Sequence, residues 1–132
     1  MRIISKEDIN SPVTNLNGEV IYEMIGRPPE IGGTIHHSLV HVVIPPGKSS
    51  HTLTHYHKVS EETYYILRGV GLMIVNGKEF RLQPGQACLI KPFETHRIFN
   101  VGQDDLEFLT VSAPAWIPDD SFLPLEKSLS EK

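Results

Sequence analysis

The stretch His55-Tyr56-His57-Lys58-Val59-Ser60-Glu61-Glu62 sets two imidazoles two residues apart and then brings in a carboxylate. On an extended strand, residues i and i+2 share a face with their Cα atoms roughly 6.5 to 7 Å apart. Both rings can therefore close on one ion held about 2.1 Å from each nitrogen. Tyr56, between them, must point the other way. Lys58 to Glu61 make a polar turn, and Glu62-Thr63-Tyr64-Tyr65-Ile66-Leu67 reads as the returning antiparallel strand. If Glu62 faces inward, Tyr64 and Ile66 line the same interior, while Thr63, Tyr65 and Leu67 face the opposite side. His96 opens a later strand directly after the turn Lys91-Pro92-Phe93-Glu94-Thr95 and is a candidate fourth donor. Imidazole and carboxylate donors with no thiolate suit Mn²⁺, Fe²⁺, Ni²⁺ or Zn²⁺, and a six-coordinate ion would keep neighbouring positions open for water, dioxygen or substrate. An ion so held can act as a Lewis acid on a carbonyl or enolate oxygen, lower the pKa of bound water or, if iron, activate dioxygen.

The elements that must position these groups are short strands. Ten glycines and ten prolines recur between β-branched and aromatic runs, and no window holds a helical stripe for three turns, so the pattern predicts an all-β domain. Strands are expected over 39–44, 53–57, 62–67, 72–75, 78–82, 87–90, 96–100 and 106–111. Pro45-Pro46-Gly47, Gly69-Val70-Gly71, Asn76-Gly77, Pro84-Gly85 and Gly102-Gln103-Asp104-Asp105 punctuate them. Asn76-Gly77 predicts a two-residue type I′ hairpin, because both central positions need positive φ and this pair tolerates it best. Eight such strands suit either a sandwich or a closed jelly roll. The segment up to residue 33 offers Ile3-Ile4 and Val20-Ile21-Tyr22 as short arm strands. The tail over 116–132 is proline-rich and then polar, so it is expected to be partly irregular.

Gly47, His55-x-His57, Glu62 and Gly69 resemble the first motif of the cupins, and Gly85, Pro92, His96 and Asn100 resemble the second. The resemblance spans about residues 36–115. Two departures stand out: a longer spacing between Gly47 and His55, and a turn before His96 that lacks the glycine found there in the family. The resemblance implies a double-stranded β-helix jelly-roll barrel with a divalent metal held inside by His55, His57, Glu62 and His96. Spacing to Gly69 and strand register favour Glu62 over Glu61, which is then a solvated turn charge. Tyr64 and His51 are candidates to assist proton transfer. His36, His37 and His41 are expected to be structural or surface residues, since adjacent strand residues face opposite ways. Barrels of this kind commonly pair, so a homodimer is expected, and 1–132 is expected to form a single domain.

Composition narrows the classes. Sixteen acidic and twelve basic residues give a net charge of −4, which carries no nucleic-acid or anionic-membrane footprint. The start MRIISKEDIN has no apolar leader core, and no stretch approaches the ~20 apolar residues of a membrane span, so a cytoplasmic location is expected. Cys88 is the only cysteine and reads as a small core residue. The resemblance implies a metal-dependent enzyme acting on an oxygen-rich small molecule (oxygenase, decarboxylase, isomerase or lyase) or a non-catalytic module that binds or senses a metal or small ligand; a third reading is a metal-free barrel that keeps these residues only as a polar interior.

Overall fold

The computed structural model describes residues 1–50 and 53–124. Among them are β1 (Val13–Thr14), β2 (Val20–Ile25), β3 (Ser38–Ile44), β4 (Glu61–Arg68), β5 (Gly71–Val75), β6 (Lys78–Leu82), β7 (Ala87–Ile90), β8 (His96–Asn100) and β9 (Leu106–Ala113). They form a six-stranded sheet, β1-β2-β3-β9-β4-β7, and a three-stranded sheet, β6-β5-β8. Every ladder is antiparallel, and the two sheets close on one core as a double-stranded β-helix. Among the described residues no helix is long and apolar enough to cross a membrane.

Period-two alternation sets which side chains enter the barrel. On β4, Glu62, Tyr64 and Ile66 are buried while Glu61, Tyr65 and Leu67 are exposed. Val42, Ile44, Ile66 and Phe108 from the large sheet meet Met73, Leu82 and Ile98 from the small one. Each such side chain contributes roughly 1.5–3 kcal/mol by leaving water. The hairpin at Asn76-Gly77 forms as the sequence predicts, with φ of 50° and 80° and Val75 paired to Lys78. Gly69 is required for a second reason besides its φ of 85°: a Cβ there would lie 2.6 Å from the Asp105 carbonyl oxygen.

Two predicted strands differ. Ile3-Ile4 joins no sheet. Over 53–57 the chain makes only isolated bridges, His55 to His96 and Tyr56 to Phe122. Successive residues there pair with partners on opposite sides, so no continuous ladder can form. Val20-Ile21-Tyr22 belongs to β2, which pairs with β3 inside the large sheet and supplies Ile21 to the core.

On the outer face, Glu107 joins three elements. Its carboxylate lies 3.1 Å from His41 Nε2, 3.6 Å from Arg68 and 3.8 Å from Lys6. Burial alone would raise the Glu107 pKa, but the His41 hydrogen bond and the nearby cations hold it below the ordinary 4.5. Its stabilising contribution is therefore complete above that value and fades as pH falls through the lower folded value. Glu107→Gln should lose about 0.5 to 1 kcal/mol near neutrality, and in urea unfolding curves the gap from the parent should close progressively in acid.

Candidate metal centre

His55, His57, Glu62 and His96 converge inside the barrel. All four are buried, and one donor atom from each lies within 4.8 Å of the others. Two donors about 2.1 Å from a shared ion stand no more than about 4.2 Å apart, so a closure of a few tenths of an ångström suffices. The His55 and His57 rings sit 5.0 Å apart by centroid, and that of His96 lies 4.4 Å from His55 and 5.4 Å from His57. Tyr56 points the other way, onto Phe93 and Phe122.

Each imidazole is turned by the same device. His55 Nδ1 bonds the Leu53 carbonyl at 2.8 Å, His57 Nδ1 that of Asp120 at 2.5 Å and His96 Nδ1 that of Glu94 at 3.0 Å. A carbonyl only accepts, so each Nδ1 carries the hydrogen and each Nε2 is left as the metal-binding nitrogen. Nε2 of both His57 and His96 lies 3.0 Å from Glu62 Oε1. Neutral rings would aim lone pairs at a carboxylate oxygen from that distance. A cation must lie between them, either a proton on an imidazole or a metal ion, and the donor set fits the ions named above. Ser112, paired with Glu62 across β4 and β9, donates its hydroxyl to the other carboxylate oxygen at 2.9 Å.

The charges agree with this reading. Burial, then the charge on His96, pulls His55 down to about 4. Burial also opposes a charge on His57, yet the hydrogen bond and charge of Glu62 outweigh it and the pKa rises above 6.5. Burial would raise Glu62, but hydrogen bonds from His57 and His96 hold it well below the usual carboxylate range.

Two supports could not be anticipated from the motif. Asp120, buried in the tail, accepts backbone N–H groups from Lys58 at 2.8 Å, Val59 at 3.1 Å and Ser60 at 2.9 Å, while its own carbonyl orients His57. It stands 60 to 62 positions along the chain from the loop it holds, and the tail over 116–132 carries no sequence signal for such a contact. Phe93 takes φ 70° in the turn that lacks a glycine. Its N–H bonds the His57 carbonyl at 2.7 Å and its ring stacks on Tyr56, which offset the strain of a left-handed non-glycine residue. Ser112 was legible in principle, since it shares the inward parity of Phe108 and Thr110.

The cluster opens on one side. His55, His57, Glu62 and Tyr64 line a cavity of about 650 Å³ between the sheets. Burial pushes the Tyr64 hydroxyl pKa well up, with the charge of Glu62 next. His51 lies outside the described residues. His36 and His37 are exposed, and His41 faces Glu107 on the outside. Asn100 braces turns, its amide donating to the Ile44 and Asp104 carbonyls.

Fold and cluster together define a jelly-roll barrel with an interior site able to bind a metal. The family model for the cupin domain matches residues 40–112, and the chain belongs to the cupin family. It is 36% identical over 122 residues to an uncharacterized protein of Methanocaldococcus jannaschii, covering 92% of this chain and 94% of that one. An oxalate-binding protein of Thermotoga maritima is 43% identical over 68 residues, 52% of this chain and 54% of that one. The crystal structure of a predicted oxalate decarboxylase from Thermotoga maritima superposes with a TM-score of 0.71 at 27% identity, covering 86% of this chain and 99% of that one.

Titration with zinc or manganese should reach one ion per chain, and Glu62→Gln or His96→Ala should abolish it. Affinity should fall with pH, because the metal must displace the proton that Glu62 favours on His57; calorimetry in buffers of different ionisation enthalpy would register the released proton. Asp120→Ala strands three backbone N–H groups. It should cost about 3 kcal/mol in thermal or urea unfolding and weaken metal binding at least about tenfold through His57.

Proposed function

We propose that this chain is a small metal-dependent enzyme acting on an oxygen-bearing small molecule, with His55, His57, Glu62 and His96 holding the ion. The observation that carries this reading is that the four-donor cluster faces a cavity rather than being enclosed: His55, His57 and Glu62 all line it. A structural ion would be closed off by its ligands, whereas a catalytic one keeps an open side. When bound, the metal would polarise a substrate oxygen or, if redox-active, bring in dioxygen.

The chain's own groups divide the remaining work. His96, with no exposed surface, anchors the back of the site, and Ser112 keeps Glu62 turned inward. Tyr64, one inward position beyond Glu62, presents its phenol to the cavity as a hydrogen-bond donor toward a substrate oxygen. Its strand neighbour Thr110 lines the same cavity. His51, four residues before His55 in sequence, is a second candidate for carrying a proton. The names given to the Thermotoga maritima matches support a carboxylate or carbonyl oxygen as the group brought to the cluster.

The test is turnover across a panel of oxygen-bearing acids and carbonyl compounds, with and without air, using protein stripped by chelator and reloaded with Mn²⁺, Fe²⁺, Ni²⁺ or Zn²⁺. Activity should vanish on stripping and return with one metal, and dependence on air separates oxygenases from Lewis-acid chemistry. Tyr64→Phe should lower kcat about 100-fold with little change in KM. The likeness to an oxalate-binding protein favours a second reading, a binding module. Saturable ligand binding by the reloaded protein without product from any substrate would select it.

A further inference from the structure

The walls of the cavity in front of the cluster are mainly aliphatic and aromatic. Ile21 and Ile25 on β2, Val40 and Val42 on β3, Ile98 on β8 and Phe108 on β9 all face it. Its volume of about 650 Å³ falls in the range, roughly 300–1,000 Å³, that buries ligands far larger than a bare dicarboxylate. A ligand as small and as fully charged as oxalate would leave these apolar walls uncovered.

Charge at the walls narrows the class further. Besides Glu62, the cavity is lined by the carboxylates of Glu19 and Glu23, and Arg27 is the one lysine or arginine among the described lining residues. A dianion would meet two like charges and a single cation there. Arg27 stands at the mouth with the exposed Pro28, Trp116 and Pro118. Its Nε donates to the Ala115 carbonyl at 3.0 Å, which ties the base of the guanidinium to the loop carrying Trp116. No ion pair among the described residues engages Arg27, and guanidinium is the side chain best shaped to take a carboxylate.

We propose that the site takes an apolar-bodied monocarboxylate, an aryl or alkyl acid, whose ring or chain lies against the β2 and β3 walls and whose carboxylate sits on Arg27. An oxygen elsewhere on such a ligand would face the four-donor cluster. The assignment refines the proposed function and takes from it only that this cavity is the substrate site.

Trp116 is the chain's one tryptophan and lies at the mouth, so its emission reports occupancy with no need for turnover. Phenylbutyrate, the neutral phenylbutanol and oxalate would be titrated into both metal-reloaded and chelator-stripped protein. Phenylbutyrate should change Trp116 emission saturably in both forms, and oxalate should fail to compete with it in the stripped form. Arg27→Gln should weaken phenylbutyrate at least about tenfold while leaving phenylbutanol within about twofold, and Arg27→Lys should recover much of the loss by restoring the charge. Ile25→Asn should weaken acid and alcohol alike, as loss of apolar wall requires, and thermal melts of each variant would establish that it folds. Tighter binding of oxalate than of phenylbutyrate in stripped protein, or an equal effect of Arg27→Gln on acid and alcohol, would overturn the proposal. Failure of the metal reading is distinguishable: a protein that loads no ion yet binds phenylbutyrate through Arg27 upholds this assignment and removes the enzyme.

Discussion

Everything in the centre of this barrel answers one electrostatic constraint. A buried carboxylate oxygen on Glu62 faces the Nε2 atoms of His57 and His96 at 3.0 Å, and their Nδ1 atoms are already committed to backbone carbonyls. Acceptors cannot face one another in a low-dielectric interior without a positive charge between them. A proton can meet the demand, and a metal ion meets it for all four donors at once. Ser112 on Glu62, the carbonyls of Leu53, Asp120 and Glu94 on the three rings, and the Asp120 carboxylate under 58–60 keep the donors aimed at that charge.

The surroundings are arranged to hold this geometry from elements that are not regular structure. His55 and His57 lie in a segment that bridges β8 on one side and the tail at Phe122 on the other, so its shape comes from partners distant in sequence. The turn before His96 accepts a left-handed Phe93, and the same residue ties that turn to the His57 carbonyl. Strain of order 1–3 kcal/mol persists at such a position only where neighbours over-determine it. Here a hydrogen bond and a ring stack do so, and both act within the loops that carry the ligating side chains.

The cavity adds a second level of selection. In the proposed reading the cluster is where an oxygen atom would be polarised, and the walls contributed by β2 and β3, together with Arg27 and Trp116, would select the body that accompanies it. The two levels come only partly from the same stretch of chain, since Val40, Val42, Ile98 and Phe108 share it with the cluster and β2, Arg27 and Trp116 do not. The four cluster residues lie inside the span of 40–112 that the family model matches, whereas Ile21, Ile25, Arg27 and Trp116 lie outside it.

Much of this was legible beforehand. Alternation along Glu62 to Leu67, the Asn76-Gly77 turn and the His55-x-His57 spacing are local patterns, and local sterics and strand periodicity suffice to read them. Those patterns determined the all-β class, the β5–β6 hairpin and which side chains could hold a metal. They also produced a strand over 53–57, because an extended, alternating segment looks the same in sequence whether its backbone pairs with one neighbour or with two. Asp120 beneath the 58–60 loop, Ser112 on Glu62, β2 as a wall of the cavity and Arg27 beside Trp116 at its mouth are contacts between distant segments. Closure of the two sheets decided them, since only packing brings the first thirty residues and residues 115–122 against the barrel, and no short-range spacing records that approach.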